Sequence, residues 1–174
     1  MKSDFMSSIL YSKFSKLLPI IVFILMIFGG YVKALGAGLA CPDWPFCHGQ
    51  IIPINYGNEP FLWVLMEYIH RLIALSVGIL IFIVVLQSYF HRDEVNVFKN
   101  ENDTQTTELL GYKRFILMLL ILTLYLFQVT LGGLTIILDL NDLIVTSHLA
   151  VATLIFGLSI IHFTWTKSQR KFLY

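Results

Sequence analysis

A carboxylate, an imidazole and a guanidinium fall within one short stretch, Glu67-Tyr68-Ile69-His70-Arg71, inside an apolar run from Phe61 to Phe90. Ionisable groups are costly in hydrocarbon and persist there where they pair, bind or react. On a helix Glu67 and His70, three apart, share a face, and Arg71, four after Glu67, can reach back to it. The cluster offers an acid/base group, a metal-ligand type and a fixed cation, which suits a haem held against it. Blander accounts stand beside that one. Glu67 could form a salt bridge to Arg71 or stay protonated and neutral, and a histidine could be bonded across a helix interface. Arg71 could equally bind a haem propionate, since a guanidinium forks onto a carboxylate.

A partner for His70 emerges from counting depth. His70 is 22 residues before Arg92, and His148 is 19 before Lys167. At 1.5 Å per residue the two differ in depth by only ~5 Å, so they could take opposite faces of one haem iron. A flat macrocycle also needs small neighbours, and Gly132, Gly133, Ser147 and Ala150 lie near that level. A second pair, His91 and His162, invites a second haem, but their distances from Arg92 and Lys167 mismatch by about 6 Å. Interfacial, snorkelling histidines are the better reading. Gln128, Thr130 and Thr146 read as interhelical hydrogen-bonding groups.

The elements that must position these residues are set by composition. The chain is 57% hydrophobic and 13% charged, against about 25% charged in soluble domains, so it reads as a membrane protein. Spans of about 17–37, 61–90, 115–138 and 143–165 are each long enough to cross a bilayer as a helix. They form a single domain, 1–174, an all-α four-helix membrane bundle. The outer loop 38–60 is compact and rich in Pro, Gly and aromatics; the segment 91–114 is expected to be a flexible polar connector. The tight turn 139–142 makes the third and fourth helices antiparallel neighbours.

Of the 12 basic residues, ten flank the spans at one end: Lys2, Lys13, Lys16, Arg92, Lys99, Lys113, Arg114, Lys167, Arg170 and Lys171. That places both termini and the middle loop in the cytoplasm and the loop 38–60 on the outer face of the plasma membrane. The first apolar run is longer than a signal-peptide core and is expected to be retained as a span. Gly29-Gly30 near the outer end of the first span and Gly132-Gly133 near that of the third are each followed by a helix with one such histidine. This weak repeat implies a pseudo-twofold axis along the membrane normal.

The bases are scattered rather than gathered on one face, so nucleic acid is not an expected partner. There is no P-loop, dinucleotide fingerprint or zinc-protease motif. The two cysteines, Cys41 and Cys47, lie in Cys41-Pro42-Asp43-Trp44-Pro45-Phe46-Cys47, followed by His48. On an oxidising face they most simply form a disulfide, structural or redox-active. A copper or zinc site with His48 is the sharper alternative, one ligand short for closed zinc.

The run Gly29-Gly30-Tyr31-Val32-Lys33 with Gly36-Ala37-Gly38-Leu39-Ala40-Cys41-Pro42-Asp43-Trp44-Pro45-Phe46-Cys47-His48-Gly49 resembles the first outer loop of the haem A synthase (CtaA) family. Glu67-Tyr68-Ile69-His70-Arg71-Leu72 resembles that family's second helix. Gln128-Val129-Thr130-Leu131-Gly132-Gly133 and Val145-Thr146-Ser147-His148-Leu149-Ala150 resemble its third and fourth.

The resemblance implies an oxidoreductase that converts a methyl substituent of haem O to the formyl group of haem A for terminal oxidase assembly. It implies His70 and His148 as axial ligands of haem iron, Glu67 as the carboxylate beside the reacting methyl, and Cys41 and Cys47 as a reducible disulfide. Haem O as substrate, a haem b cofactor, haem O synthase and an electron donor are the implied ligands and partners. Typical members have eight helices in two halves. This chain resembles the N-terminal half, so a C2 homodimer is the economical way to restore the arrangement. Lys33 stands where the family has an arginine. The alternative reading is a b-type bis-histidine cytochrome that only carries electrons, for which Glu67 would have no task. A third is an assembly subunit without haem.

Overall fold

In the computed structural model, residues 2–54, 57–91 and 101–170 are described, with side chains described over 9–54, 57–91 and 111–167. Four helices run Lys2–Ala34 (α1), Phe61–Phe90 (α2), Glu101–Ile137 (α3) and Asp142–Arg170 (α4). Each contains a segment long and apolar enough to cross a membrane. The all-helical, four-span fold expected from hydropathy is therefore observed among the described residues. Arg92, Lys99 and Lys171, used to assign orientation, lie outside them.

The helix ends follow local chemistry. α1 stops at Ala34 because Gly36 turns left-handed at φ 76°, its N–H donating to the Lys33 carbonyl at 3.0 Å. Glycine takes that conformation without a Cβ penalty. A short 3₁₀ turn, Ala37–Leu39, follows. Between α3 and α4, Asp139 and Leu140 both take positive φ, and the Leu140 N–H donates to Thr135 O at 2.7 Å. Asn141 then caps α4, its Oδ1 accepting from Leu143 N at 3.1 Å.

One expected boundary differs. Within 91–114, read as a flexible connector, residues 101–114 are the opening turns of α3, while 92–100 lie outside the described residues. Residues 101–110 contain no proline or glycine, and acidic Glu101 and Asp103 suit a helix N-terminus. Elongating a helix that is already nucleated costs little.

The helices form a ring in which α1 meets α2, α2 meets α3, α3 meets α4 and α4 returns to α1. Its middle is dry. Leu18 and Val22 of α1, Val77, Ile81 and Val84 of α2, Met118 and Ile121 of α3 and Ile155 of α4 are buried together. Gly78 lets α3 approach α2: a Cβ there would lie 2.8 Å from Tyr125 Cε1, and the Tyr125 hydroxyl donates to Ala74 O at 2.6 Å. Large apolar side chains such as Phe23, Ile79, Phe127 and Leu154 point outward, as faces packed by acyl chains require.

Candidate functional site

Glu67, His70 and Arg71 fall on the face of α2 turned into the bundle. Glu67 is 6% exposed, and Arg71 Nε donates to its Oε1 at 3.1 Å. The rest of the guanidinium reaches over to the loop between α1 and α2. Nη1 donates to the carbonyls of Asp43, at 2.8 Å, and Phe46, and Nη2 donates to that of Cys41 at 3.0 Å. A guanidinium has five N–H groups, so one remains for any further acceptor. The salt bridge read from the i, i+4 spacing is present; the grip on the loop was not legible, because the acceptors are backbone groups 25 to 30 residues away.

That loop is a built object. Cys41 and Cys47 are joined as a disulfide with Cα atoms 4.6 Å apart, and both are buried. Asp43 closes the turn, its carboxylate accepting from His48 N at 2.6 Å and Gly49 N at 2.7 Å. The sulfurs are bonded to each other, and His48 Nε2 bonds the Ala40 carbonyl at 2.9 Å, which accounts for the residues of the metal alternative. The loop also reaches the second hairpin. A Cβ on Gly133 would lie 3.1 Å from the Trp44 ring, and one on Gly38 3.4 Å from Leu140.

His70 on α2 and His148 on α4 are both half-buried. Each is backed by a glycine of the preceding helix. A Cβ on Gly29 would lie 2.8 Å from His70 Cε1, and one on Gly132 would lie 3.2 Å from His148 Cε1. The same contact is thus made twice, α1 to α2 and α3 to α4, which gives the weak glycine repeat a physical meaning. Phe28 stacks beside His70, ring centroids 6.3 Å apart and planes 19° apart. Nδ1 of His70 and Nδ1 of His148 are both buried without a hydrogen-bond partner. The Gln128 carbonyl lies beside His148 without forming a bond of normal geometry to that nitrogen. Buried polar atoms rarely go unpaired, and imidazoles backed by glycine, with unpaired nitrogens, fit ligation of a haem iron.

Other expectations are corrected. Thr130 and Thr146 bond within their own helices, to Leu126 O at 3.1 Å and Asp142 O at 2.7 Å, so they are not interhelical. Threonine hydroxyls satisfy themselves on the i−4 carbonyl when nothing better is near. Ala150 faces outward. Lys33 is exposed in the last turn of α1, where a cation is favoured by the helix dipole. His162 does not snorkel. It is 0% exposed, its Nε2 3.1 Å from the Tyr11 hydroxyl. Tyr11 also stacks on His91 at 5.2 Å, so an aromatic ring contacts both members of the second pair.

The fold and these buried groups define a four-helix integral membrane protein with ionisable side chains buried between its helices. Residues 13–172 match the COX15-CtaA family, cytochrome oxidase assembly proteins, and the chain belongs to that family. It is similar to curated proteins named Heme A synthase. It is 29% identical over 153 residues to that of Exiguobacterium sibiricum, covering 87% of this chain and 42% of the relative. With that of another Exiguobacterium it is 28% identical over 154 residues, 86% and 41%. With that of Lysinibacillus sphaericus it is 30% identical over 130 residues, 75% and 36%. The chain therefore spans about two fifths of the length of these relatives. No solved structure matches it.

Proposed function

We propose that this chain is a half-size haem A synthase: an oxidoreductase that binds haem between His70 and His148 and oxidises a methyl substituent of haem O to the formyl group of haem A. The observation that carries the reading is the twinned contact of Gly29 with His70 and Gly132 with His148, with buried Glu67 one turn from the first histidine. When bound, haem O supplies both the iron and the methyl group, and haem b is the candidate for a resident cofactor. His70 and His148 hold and orient the macrocycle. Glu67, fixed by Arg71 at 3.1 Å, takes up a proton as methyl C–H bonds break or stabilises positive charge developing there; preorganised charge in a dry site is effective for either task. The disulfide loop, tied down by Arg71 and Trp44, covers the site and excludes water.

The chain covers about two fifths of these relatives, and self-association as a C2 homodimer supplies the second half. Both termini face the cytoplasm and the disulfide loop faces outward, in keeping with the clustering of basic residues. Converting the methyl to a formyl group is an oxidation that in sum consumes dioxygen and releases water (R–CH3 + O2 → R–CHO + H2O), so an oxidant of that class is required, with haem O synthase and an electron donor as the expected protein partners. An electron-carrying cytochrome would use the same histidines but leave Glu67 without a task.

The test is to purify the protein from membranes supplied with haem O, record a reduced-minus-oxidised spectrum and separate the extracted haems. Haem A or its hydroxylated precursor is the expected product. Haem b alone would refute the synthase reading, and a colourless protein would refute haem binding altogether.

A further inference from the structure

At the end of the bundle that carries both termini, all four helices contribute to a second buried polar group. Tyr11 of α1 shares hydrogen bonds with Ser88 Oγ of α2 at 3.0 Å and His162 Nε2 of α4 at 3.1 Å. The face of the Tyr11 ring lies 5.6 Å from Cζ of Arg114 on α3. Tyr11, Ser88, Arg114 and His162 are all buried. None of them belongs to the candidate haem site; His162 lies 14 residues along α4 from His148, about 21 Å.

Arg114 is the anomaly. It is 4% exposed, its Nε has no hydrogen-bond partner, and among the described residues no carboxylate pairs with it. An aromatic face offsets only part of the cost of taking a guanidinium out of water. Two more groups at this end are buried and unpartnered: Ser15 Oγ, one turn along α1 from Tyr11, and His162 Nδ1. In the tautomer in which the Tyr11 hydroxyl donates to Nε2, Nδ1 carries the ring proton. Each of the three can donate, and none has an acceptor.

Position selects the acceptor. Arg114 immediately precedes the apolar run that begins at Phe115, which sets it at the edge of the third span. Phosphate esters are the abundant anions at that level of a bilayer, and a guanidinium pairs with phosphate through parallel charge-assisted bonds. We propose that Arg114 binds a phosphate-type oxyanion, either the headgroup phosphate of an anionic phospholipid or free inorganic phosphate, with His162 and Ser15 as further buried donors at the same end of the bundle. Tyr11 braces the site by bonding His162 on one edge and lying under Arg114 on its face.

The full chain, placed in nanodiscs of phosphatidylcholine alone or mixed with phosphatidylglycerol, tests this through its unfolding midpoint, with native mass spectrometry reporting retained lipid. Phosphatidylglycerol is expected to raise the midpoint and to be retained. Arg114→Gln should weaken retention about tenfold or more, the loss expected for a charged hydrogen bond. Lys113→Gln, adjacent but exposed, should keep it. In delipidated detergent solution, protection by inorganic phosphate at constant ionic strength identifies free anion as the occupant; protection by phosphatidylglycerol alone identifies the lipid. If neither stabilises the parent protein, the site does not exist, an outcome that requires no variant to fold. Equal losses in Lys113→Gln and Arg114→Gln would likewise overturn the proposal, leaving only general surface charge.

Discussion

A methyl group on Gly29 would stand 2.8 Å from Cε1 of His70, closer than side chains are found. The imidazole can occupy its place only because α1 presents bare backbone there. Gly29→Ala is therefore expected to displace the ring and lose most of the bound haem. Gly132→Ala, where the distance to His148 is 3.2 Å, should give a partial loss. Gly30 has nothing within 4 Å, so Gly30→Ala should bind haem normally. Haem absorbance per mole of protein checks all three; equal binding by Gly29→Ala and Gly30→Ala would separate the glycine from the site.

Arg71→Lys should uncouple the loop from α2, because one ammonium cannot reproduce bonds to Glu67 and three carbonyls in the geometry of a planar fork. Losing hydrogen bonds to a charged group costs about 1.5–3 kcal/mol each where the acceptors stay buried. A lowered unfolding midpoint and faster proteolysis within 41–50 are the expected readouts. An unchanged cleavage rate would show that the disulfide and Trp44 suffice.

Glu67→Gln keeps the size of the side chain and removes its charge. It is expected to retain bound haem, with an unchanged spectrum, while formyl product falls to background. His70→Ala and His148→Ala should instead each abolish the spectrum. Turnover surviving in Glu67→Gln would remove the carboxylate from the chemistry.

Cys41→Ser opens a covalent loop of sequence separation 6, for which chain-entropy reasoning gives about 2 kcal/mol. Since Arg71 holds the Cys41 carbonyl, the disulfide and the guanidinium constrain the same segment. A double-mutant cycle with Arg71→Lys should therefore show coupling of about 0.5–3 kcal/mol. Additive effects would mean the two restraints act independently.

Tyr11→Phe removes a hydroxyl shared between Ser88 and His162 and leaves both buried without it. The cost should be about 1–3 kcal/mol in stability, read from denaturation in detergent, with haem content unaffected because the change lies at the other end of the bundle.

The hydropathy of the four spans made the fold legible, and the spacing of Glu67, His70 and Arg71 made their shared face legible, because both are local periodic properties of a helix. Counting depth sets His70 and His148 at similar heights, and in the structure each meets a glycine of the preceding helix. What stayed hidden was non-local or carried by the backbone. Arg71 grips carbonyls whose positions depend on how the loop folds. Tyr11, an ordinary aromatic near an apolar run, gains meaning only when α1, α2 and α4 bring Ser88 and His162 to it. Residues 101–114 looked like a connector because their composition is polar, yet helix can extend beyond the membrane wherever nothing breaks it.

The dry middle layer of Leu18, Val22, Val77, Ile81, Met118, Ile121 and Ile155 has a consequence for traffic. It stands between Glu67 and the histidine pair at one end and the Tyr11 group at the other, like the insulator of a capacitor. Under the proposed chemistry, a proton exchanged at Glu67 is expected to travel by the side of the disulfide loop, because the apolar layer closes the other direction.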